Sequence, residues 1–345
     1  MSNFKFFRGS LVVTLCGAAA AFYFGGFEAL FMVFVLSILE VSLSFDNAVV
    51  NATVLRDMDA IWRKRFLTWG MLIAVFGMRI LFPVIVVSVI ATVSPWAALQ
   101  IAINDPEQYR SLMESSHVAL MGFGGSFLML VGLDFFLSDE KSEHWINFVE
   151  RPMLHVGKIK FAAEIVTVLV ILLVAGIYLP EGDKYSFVSA GIAGVVTFTV
   201  IHKVAAYMEG KEESRTTDAI TATAKSGLGM FIYLEILDAS FSFDGVIGAF
   251  AITTNLFIIA TGLGIGAMFV RSLTIMLVEK NTLDEYRFLE HGAFYAILAL
   301  AVIMFLKTFI HVPETVTGLL GAGFIGLAFV HSLLVSNEEK EKVKV

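Results

Sequence analysis

Apolar residues fill ten long runs separated by short polar segments, and each run is about as long as a membrane-spanning helix, which needs about 20 residues. We expect one helix per run and therefore an all-α polytopic membrane protein. The predicted helices are residues 11–24, 27–55, 66–90, 119–137, 161–179, 187–207, 228–252, 256–278, 293–310 and 316–335.

Composition supports this class. Of the 345 residues, 57% are hydrophobic and 16% are charged, whereas soluble domains have about 25% charged residues. The single cysteine, Cys16, excludes an internal disulfide framework and a thiolate metal cluster. No segment outside the runs is long enough for a separate soluble domain. We expect a lipid bilayer environment, no nucleic-acid partner and no enzymatic activity, and the pattern is compatible with a homo-oligomer.

The first run has features of a signal peptide, because Lys5 and Arg8 precede it and Ala18–Ala21 resembles a small-residue cleavage site. We favour a retained helix, since the repeat described below supplies a counterpart for it. The predicted halves are residues 1–181 and 182–336, with a charged tail at 337–345.

The positive charges orient these helices. Of 24 Lys and Arg residues, nineteen fall on one side of the membrane or at that end of a predicted helix, and only two fall on the other side, namely Arg110 and Lys184. Positive residues favour the cytoplasmic side. The count therefore predicts ten spans in the cell (inner) membrane, with both termini in the cytoplasm.

A seven-residue motif occurs twice. Residues 40–46 read Glu-Val-Ser-Leu-Ser-Phe-Asp, and residues 238–244 read Asp-Ala-Ser-Phe-Ser-Phe-Asp. Each copy interrupts an apolar run, where an acid costs about 2.5–3.5 kcal/mol on insertion scales. Acids that merely pair neighbouring helices would not explain the duplication. The motif therefore indicates a functional site.

The duplication continues into the next helix. Gly70 precedes Arg79 by nine residues, and Gly262 precedes Arg271 by the same nine. Helices one to five would then correspond to helices six to ten, and because five is odd, the second half enters the membrane from the opposite side. Inverted five-helix repeats are typical of secondary transporters, whose site lies near the midplane. Clustered glycines such as 262, 264 and 266 fit close helix packing rather than a nucleotide loop.

The available ligands are carboxylate, hydroxyl, amide and backbone oxygen, which suit hard divalent cations. In a regular helix Glu40 and Asp46 lie about 9 Å apart along the axis and about 120° apart around it. They cannot grip one ion unless the helix is distorted at the intervening serines. Otherwise the acids form a ladder across the membrane. We expect carboxylates to neutralise the buried arginines. The candidate ligands are Glu40, Asp46, Asn47, Asp238 and Asp244, with Ser44, Glu235 and Ser242 as lesser candidates, and the candidate counter-ions are Arg79 and Arg271.

The two motif helices and the helix after each resemble those of TerC-family membrane proteins, within the lysine-exporter-like superfamily. The resemblance rests on Glu40-Val-Ser-Leu-Ser-Phe-Asp46-Asn47 and on Asp238 to Asp244, continuing through Asn255 to Arg271. It implies metal coordination by the five principal candidates and export of Mn²⁺. The oxygen ligands would also suit Mg²⁺ or Ca²⁺. The chain departs from the family's Asp-Ser-x-Pro, having Asp244-Gly245-Val246-Ile247.

The motifs do not fit an intramembrane aspartyl protease. An intramembrane aspartyl protease would pair Tyr-Asp with Gly-x-Gly-Asp, whereas both aspartates here follow Ser-Phe. Export of an amino acid or other small solute, and a membrane scaffold, remain alternatives. Several acids sharing one low-dielectric path cannot all stay ionised without a counter-ion. We therefore expect metal and protons to compete for the same oxygens, which favours divalent-cation/proton antiport over a uniporter or a sodium-coupled carrier.

Overall fold

The computed structural model describes residues 4–70, 73, 77, 79, 81–90, 92–138, 144–210 and 219–342. These residues form fifteen α-helices and a π-helical segment at Phe66–Gly70, and no strand. The helices are α1 Phe4–Leu43, α2 Phe45–Asp57, α3 Ala60–Arg65, α4 Phe82–Ile90, α5 Pro95–Asn104, α6 Pro106–Ser115, α7 His117–Leu137, α8 Asn147–Gly157, α9 Ala162–Ile177, α10 Glu181–Gly210, α11 Ala219–Ile252, α12 Leu256–Glu279, α13 Thr282–Glu285, α14 Leu289–Leu306 and α15 Glu314–Lys342.

Helix α1 folds back on itself at Gly26, whose φ of 66° and ψ of −157° are not helical. A straight helix would separate Ser10 from Glu40 by about 45 Å. Yet Ser10 shares a hydrogen bond of 2.9 Å with Ser272, and Glu40 packs against Gly266, about 9 Å away along α12. The two arms of α1 therefore form a hairpin, with residues 4–25 and 27–43 packing side by side on α12.

Small residues let the second arm of α1 approach α12 closely. A Cβ on Gly262 would come within 2.6 Å of Leu36 Cβ, and one on Gly266 within 2.5 Å of Glu40 Cβ. Ser37 Oγ also donates to the carbonyl of Gly262 at 3.0 Å. These contacts match the expectation that the glycines of α12 serve helix packing.

The core lies around α7, which packs against α9, α10, α11 and α14. Its buried side chains include Phe127 and Phe136, both fully enclosed. Glycines again permit the approach, because Gly132 lies against Leu298 and Gly125 against Phe305 of α14. Helix α11 is held between this core and the layer formed by α2, α12 and α15. The second motif therefore lies at the centre of the bundle.

The fold is that of an α-helical membrane protein. Within the described ranges, six helices are long and apolar enough to cross a membrane: α1, α7, α10, α12, α14 and α15. Helices α8 and α9 are bent by 105° relative to each other, and they form a seventh span if the pair is taken as one broken span. Ten spans were predicted. The α1 hairpin contains two of the predicted runs, and α11 carries three acids at Glu235, Asp238 and Asp244. The predicted run 66–90 lies partly outside the described residues.

Gly26→Ala tests the hairpin. The backbone of Gly26 lies in a region that only glycine occupies readily, and a Cβ there costs about 1–3 kcal/mol. We expect a lower unfolding temperature for the purified variant in a thermal-unfolding assay. Gly9→Ala is the matched control, because a Cβ at Gly9 meets nothing within 4 Å and alanine is the better helix former. Equal unfolding temperatures for the two variants would contradict the fold-back.

Candidate functional site

The first motif distorts the helix that carries it at a single residue. Helix α1 ends at Leu43 and α2 begins at Phe45. Between them Ser44 has φ −106° and ψ 15°, a distortion of the kind that the sequence required before Glu40 and Asp46 could serve one site. Ser44 Oγ donates to Glu40 Oε1 at 3.0 Å, so the serine side chain ties the joint to the acid before it.

The second motif stays within one uninterrupted helix, α11. Glu235, Asp238 and Ser242 are all buried on it. The side chains of Phe243 and Asp244 lie outside those that the structure describes, so Asp244 is placed by its backbone alone. The two copies of the motif thus share a sequence but differ in backbone conformation.

Glu40 forms the first part of the site and is 2% exposed. Its Oε1 atom accepts hydrogen bonds from Ser44 and from a guanidinium nitrogen of Arg79, with which it forms a buried ion pair. The carboxylate reaches α11, because a Cβ on Gly245 would lie 3.1 Å from Glu40 Oε2. Arg79 therefore serves as a counter-ion to a motif acid.

Asp238 forms the second part and connects the two halves of the chain. Asn47 Nδ2 donates to Asp238 Oδ1 at 2.6 Å. Asn51, one turn further along α2, also interacts with this carboxylate. Electrostatic interactions link Asp238 to Glu40 and to Arg79. The first residues of the two motifs thus belong to one buried group of charges, formed where α1, α2 and α11 meet.

The side chain of Asp46 does not face this group of charges. Its Oδ1 atom accepts from the backbone N–H of Asn47 at 2.9 Å, in the first turn of α2. Its other oxygen, Oδ2, faces α15, because a Cβ on Gly321 would lie 3.4 Å from this atom. The side chains of Asp46 and Glu40 therefore face different neighbours on either side of the distortion at Ser44.

Glu235 lies one turn before Asp238, and electrostatic interaction couples the two acids. The carboxylate faces the π-helical segment, because a Cβ on Gly70 would lie 2.6 Å from Glu235 Oε1. A side chain larger than glycine at residue 70 would fill the space beside this acid.

Five buried oxygen atoms of this group have no hydrogen-bond donor among the described residues. They are Oδ1 of Asn47, Oδ1 of Asn51, Oδ2 of Asp238, and Oε1 and Oε2 of Glu235. A buried acceptor without a donor costs about 1–3 kcal/mol, and more if it is charged. Unpaired carboxylate and amide oxygens are the ligands that a hard cation prefers.

Carboxylates alone do not form a metal centre here. Within the described residues, no three His, Cys, Asp or Glu side chains converge closely enough to hold a metal ion. Glu40 is held by Arg79, and Asp46 faces α15. The oxygens that lack a donor come instead from two acids and two amides, contributed by α2 and α11.

Arg271 differs from the prediction. Its Nε and Nη2 atoms donate to the backbone carbonyl of Leu67 at 3.1 and 2.7 Å, and not to a motif carboxylate. Leu67 lies in the π-helical segment, where hydrogen bonding shifts to residue i+5 and the usual ladder is disturbed. The two arginines of the repeat therefore have different roles.

Sequence reasoning missed Asn51. The available signal was its spacing, because Asn51 follows Asn47 by four residues and the two share one face of a helix. Thr317 was also missed, and its buried hydroxyl has no hydrogen-bond partner in the described part of the chain. Thr317 lies one turn before Gly321, which faces Asp46.

Long apolar helices around a buried cluster of acids, amides and an arginine define a multi-pass α-helical membrane protein with a polar interior site. The chain belongs to the family described as Protein of unknown function (DUF475), whose model matches residues 45–340. The match includes Asp46, Asn47 and the second motif and begins after Glu40. No curated protein and no solved structure matches the chain.

Proposed function

We propose that this protein exports a hard divalent cation, Mn²⁺ in the first instance, through a site formed by Asp238 and the two asparagines of α2. The observation that carries this proposal is the group of five buried oxygens without donors at Asn47, Asn51, Asp238 and Glu235. Their oxygen chemistry suits Mn²⁺, Mg²⁺ and Ca²⁺ better than copper or zinc. The resemblance of both motifs to TerC-family proteins favours Mn²⁺ among these.

The proposed architecture is ten spans in two inverted five-helix repeats. Gly70 contacts Phe231 and Glu235, and Gly262 contacts Val33 and bonds to Ser37. The motif offset is 238 − 40 = 198 residues. Subtracting 198 from 231 and 235 gives 33 and 37, so each glycine contacts equivalent positions of the opposite motif helix. This correspondence supports a two-fold relation between the halves.

Reporter fusions test the topology. With both termini in the cytoplasm, a fusion after Leu55 should report the inside and a fusion after Ile103 the outside, because one span separates these positions. An alkaline phosphatase and a fluorescent protein at the same two sites provide opposite readouts. The reverse pattern at both sites would contradict the proposed orientation.

Transport by exchange with protons follows from the crowding of acids. Asp238 lies close enough to both Glu40 and Glu235 to interact with their charges, and Arg79 is the cation placed beside them. A divalent ion supplies positive charge that such a group requires, and protons supply it when the ion leaves. The coupled group then alternates between metal-bound and protonated states.

A rescue assay tests the export of Mn²⁺. In a bacterial host that lacks its own Mn²⁺ exporter, expression should lower cellular Mn²⁺ and restore growth under Mn²⁺ stress. Asp46→Asn and Asp244→Asn should fail to do so, because each removes a candidate ligand from the path. Asp183→Asn, in the first turn of α10, is the control and should rescue.

Cellular metal content distinguishes the alternatives. If the wild-type protein is present in the membrane and leaves cellular Mn²⁺ unchanged, export of Mn²⁺ is wrong. If either motif variant restores full efflux at normal expression, that acid is not an essential ligand. Parallel measurement of cellular Mg²⁺, Ca²⁺ and free amino acids would identify a different cargo.

A further inference from the structure

We propose that Arg79 is a built-in competitor of the transported cation, so that its guanidinium neutralises the site when the metal is absent and is displaced when the metal binds. This inference rests on the proposed function and assigns Arg79 a role in the transport cycle. This role differs from that of an arginine that only stabilises the packing of two helices.

The first support is the position of Arg79. The residue is 5% exposed, forms an ion pair with Glu40 and interacts electrostatically with Asp238. Its single positive charge therefore acts on the first acids of both motifs. A divalent ion bound by the unpaired oxygens of Asp238 and Asn47 would face the same two negative charges.

The second support is that Glu40 cannot readily move away from this place. Its Cβ and Cγ atoms pack against Gly266, and its Oε2 atom faces Gly245. A rearrangement that exchanges one cation for another must therefore move the arginine. The backbone at Arg79 is π-helical, a conformation that frequently marks functional sites within helices.

The third support is the contrast with Arg271, the equivalent residue of the second half. Arg271 donates to the carbonyl of Leu67, an uncharged backbone acceptor, and not to a motif acid. Its hydrogen bonds join α12 to the π-helical segment. The chain thus contains one arginine within the charged group and one that links backbone elements, at matching positions of the repeat.

The competition has a consequence for transport. In the antiport cycle the metal-free carrier returns with protons on part of this group, and any acid that stays ionised makes the crossing of the low-dielectric interior costly. Arg79 neutralises Glu40 in that state and so lowers the cost of the return step. The cost is affinity, because a site that is free in one tenth of the molecules binds about tenfold more weakly than a free site.

Arg79→Gln tests the proposal in reconstituted vesicles, with purification in the presence of Mn²⁺. We expect the apparent Mn²⁺ affinity to rise about tenfold, as the competitor is lost. Exchange of radioactive Mn²⁺ for unlabelled Mn²⁺ should persist, because the carrier then crosses in both directions with metal bound. Net efflux should fall at least about tenfold. An arginine with a merely structural role would instead lower affinity, exchange and net efflux together.

Arg271→Gln is the matched control, with affinity expected to stay within about twofold of the wild type because Arg271 does not face the charged group. Arg79→Lys retains the charge without the planar fork. It should bind Mn²⁺ more tightly than the wild type, by about threefold, and retain net efflux. If Arg79→Gln does not fold, the Mn²⁺ affinity of Arg79→Lys tests the proposal.

Three results would overturn the inference while export of Mn²⁺ stands. They are an unchanged or lower affinity in Arg79→Gln or, if that variant does not fold, in Arg79→Lys; an equal rise in Arg271→Gln; and loss of exchange together with net efflux. Wild-type vesicles that neither bind nor exchange Mn²⁺ would instead contradict the proposed function itself.

Discussion

Asp238→Asn should abolish metal-dependent stabilisation of the purified protein while leaving its fold intact. The substitution keeps the shape of the side chain and an acceptor for Asn47 Nδ2, but removes the charge that faces the cation. Loss of a direct ligand should weaken metal binding by about a hundredfold or more, since even outer-sphere changes cost about 10–100-fold. At a Mn²⁺ concentration a hundred times the wild-type dissociation constant, the stabilisation should fall from about 2.7 to about 0.4 kcal/mol.

Thermal or chemical unfolding with and without Mn²⁺ measures this effect. Asp183→Asn again provides the control, and its stabilisation by Mn²⁺ should equal that of the wild type. Asn47→Ala and Asn51→Ala should give intermediate losses, because each removes one neutral oxygen and leaves the charge. Full Mn²⁺ stabilisation of a folded Asp238→Asn variant would remove Asp238 from the site.

Collapse of the proton gradient should slow Mn²⁺ transport by at least about tenfold in vesicles that contain the purified protein, and each transported ion should drive protons the other way. The reason is that the same buried oxygens bind either a metal ion or protons, so occupation by one favours release of the other. Apparent Mn²⁺ affinity should therefore decrease as pH falls, because protonated acids no longer bind metal. A trapped pH-sensitive dye and radioactive Mn²⁺ record both movements together.

The antiport model also predicts the result for the Asp238→Asn variant in the same vesicle assay. Vesicles with Asp238→Asn should show neither Mn²⁺ movement nor Mn²⁺-driven proton movement, which excludes passive leak as the source. If Mn²⁺ crosses at the same rate without a proton gradient and the dye records no countermovement, the carrier is a uniporter or is coupled to another ion such as Na⁺.

Several features of the fold could be predicted because they depend on local chemistry. The end of the first apolar run at Gly25 and Gly26 coincides with the fold-back of α1. The helix is distorted at Ser44, between Glu40 and Asp46, although the two acids still face different neighbours. The close-packing role of the α12 glycines follows from their small size, and Gly262 and Gly266 do contact α1.

Other features depend on packing that the sequence pattern does not contain. The two copies of Ser-x-Ser-Phe are nearly identical, yet only the first distorts its helix. The partner of Arg271 is a carbonyl made available by the π-helical segment at Leu67, which no pattern in the chain predicted. Asn51 belongs to the site because α2 packs against α11, and the sequence pattern does not contain this packing.

The order of synthesis gives the Arg79–Glu40 pair a further importance. Gly266, which packs against Glu40 in the finished protein, is translated 266 − 40 = 226 residues later. At about 5–20 residues per second, this delay is roughly 11–45 s. Arg79 follows Glu40 by only 39 residues and emerges within roughly 2–8 s. A counter-ion for the buried acid is therefore synthesised well before α12.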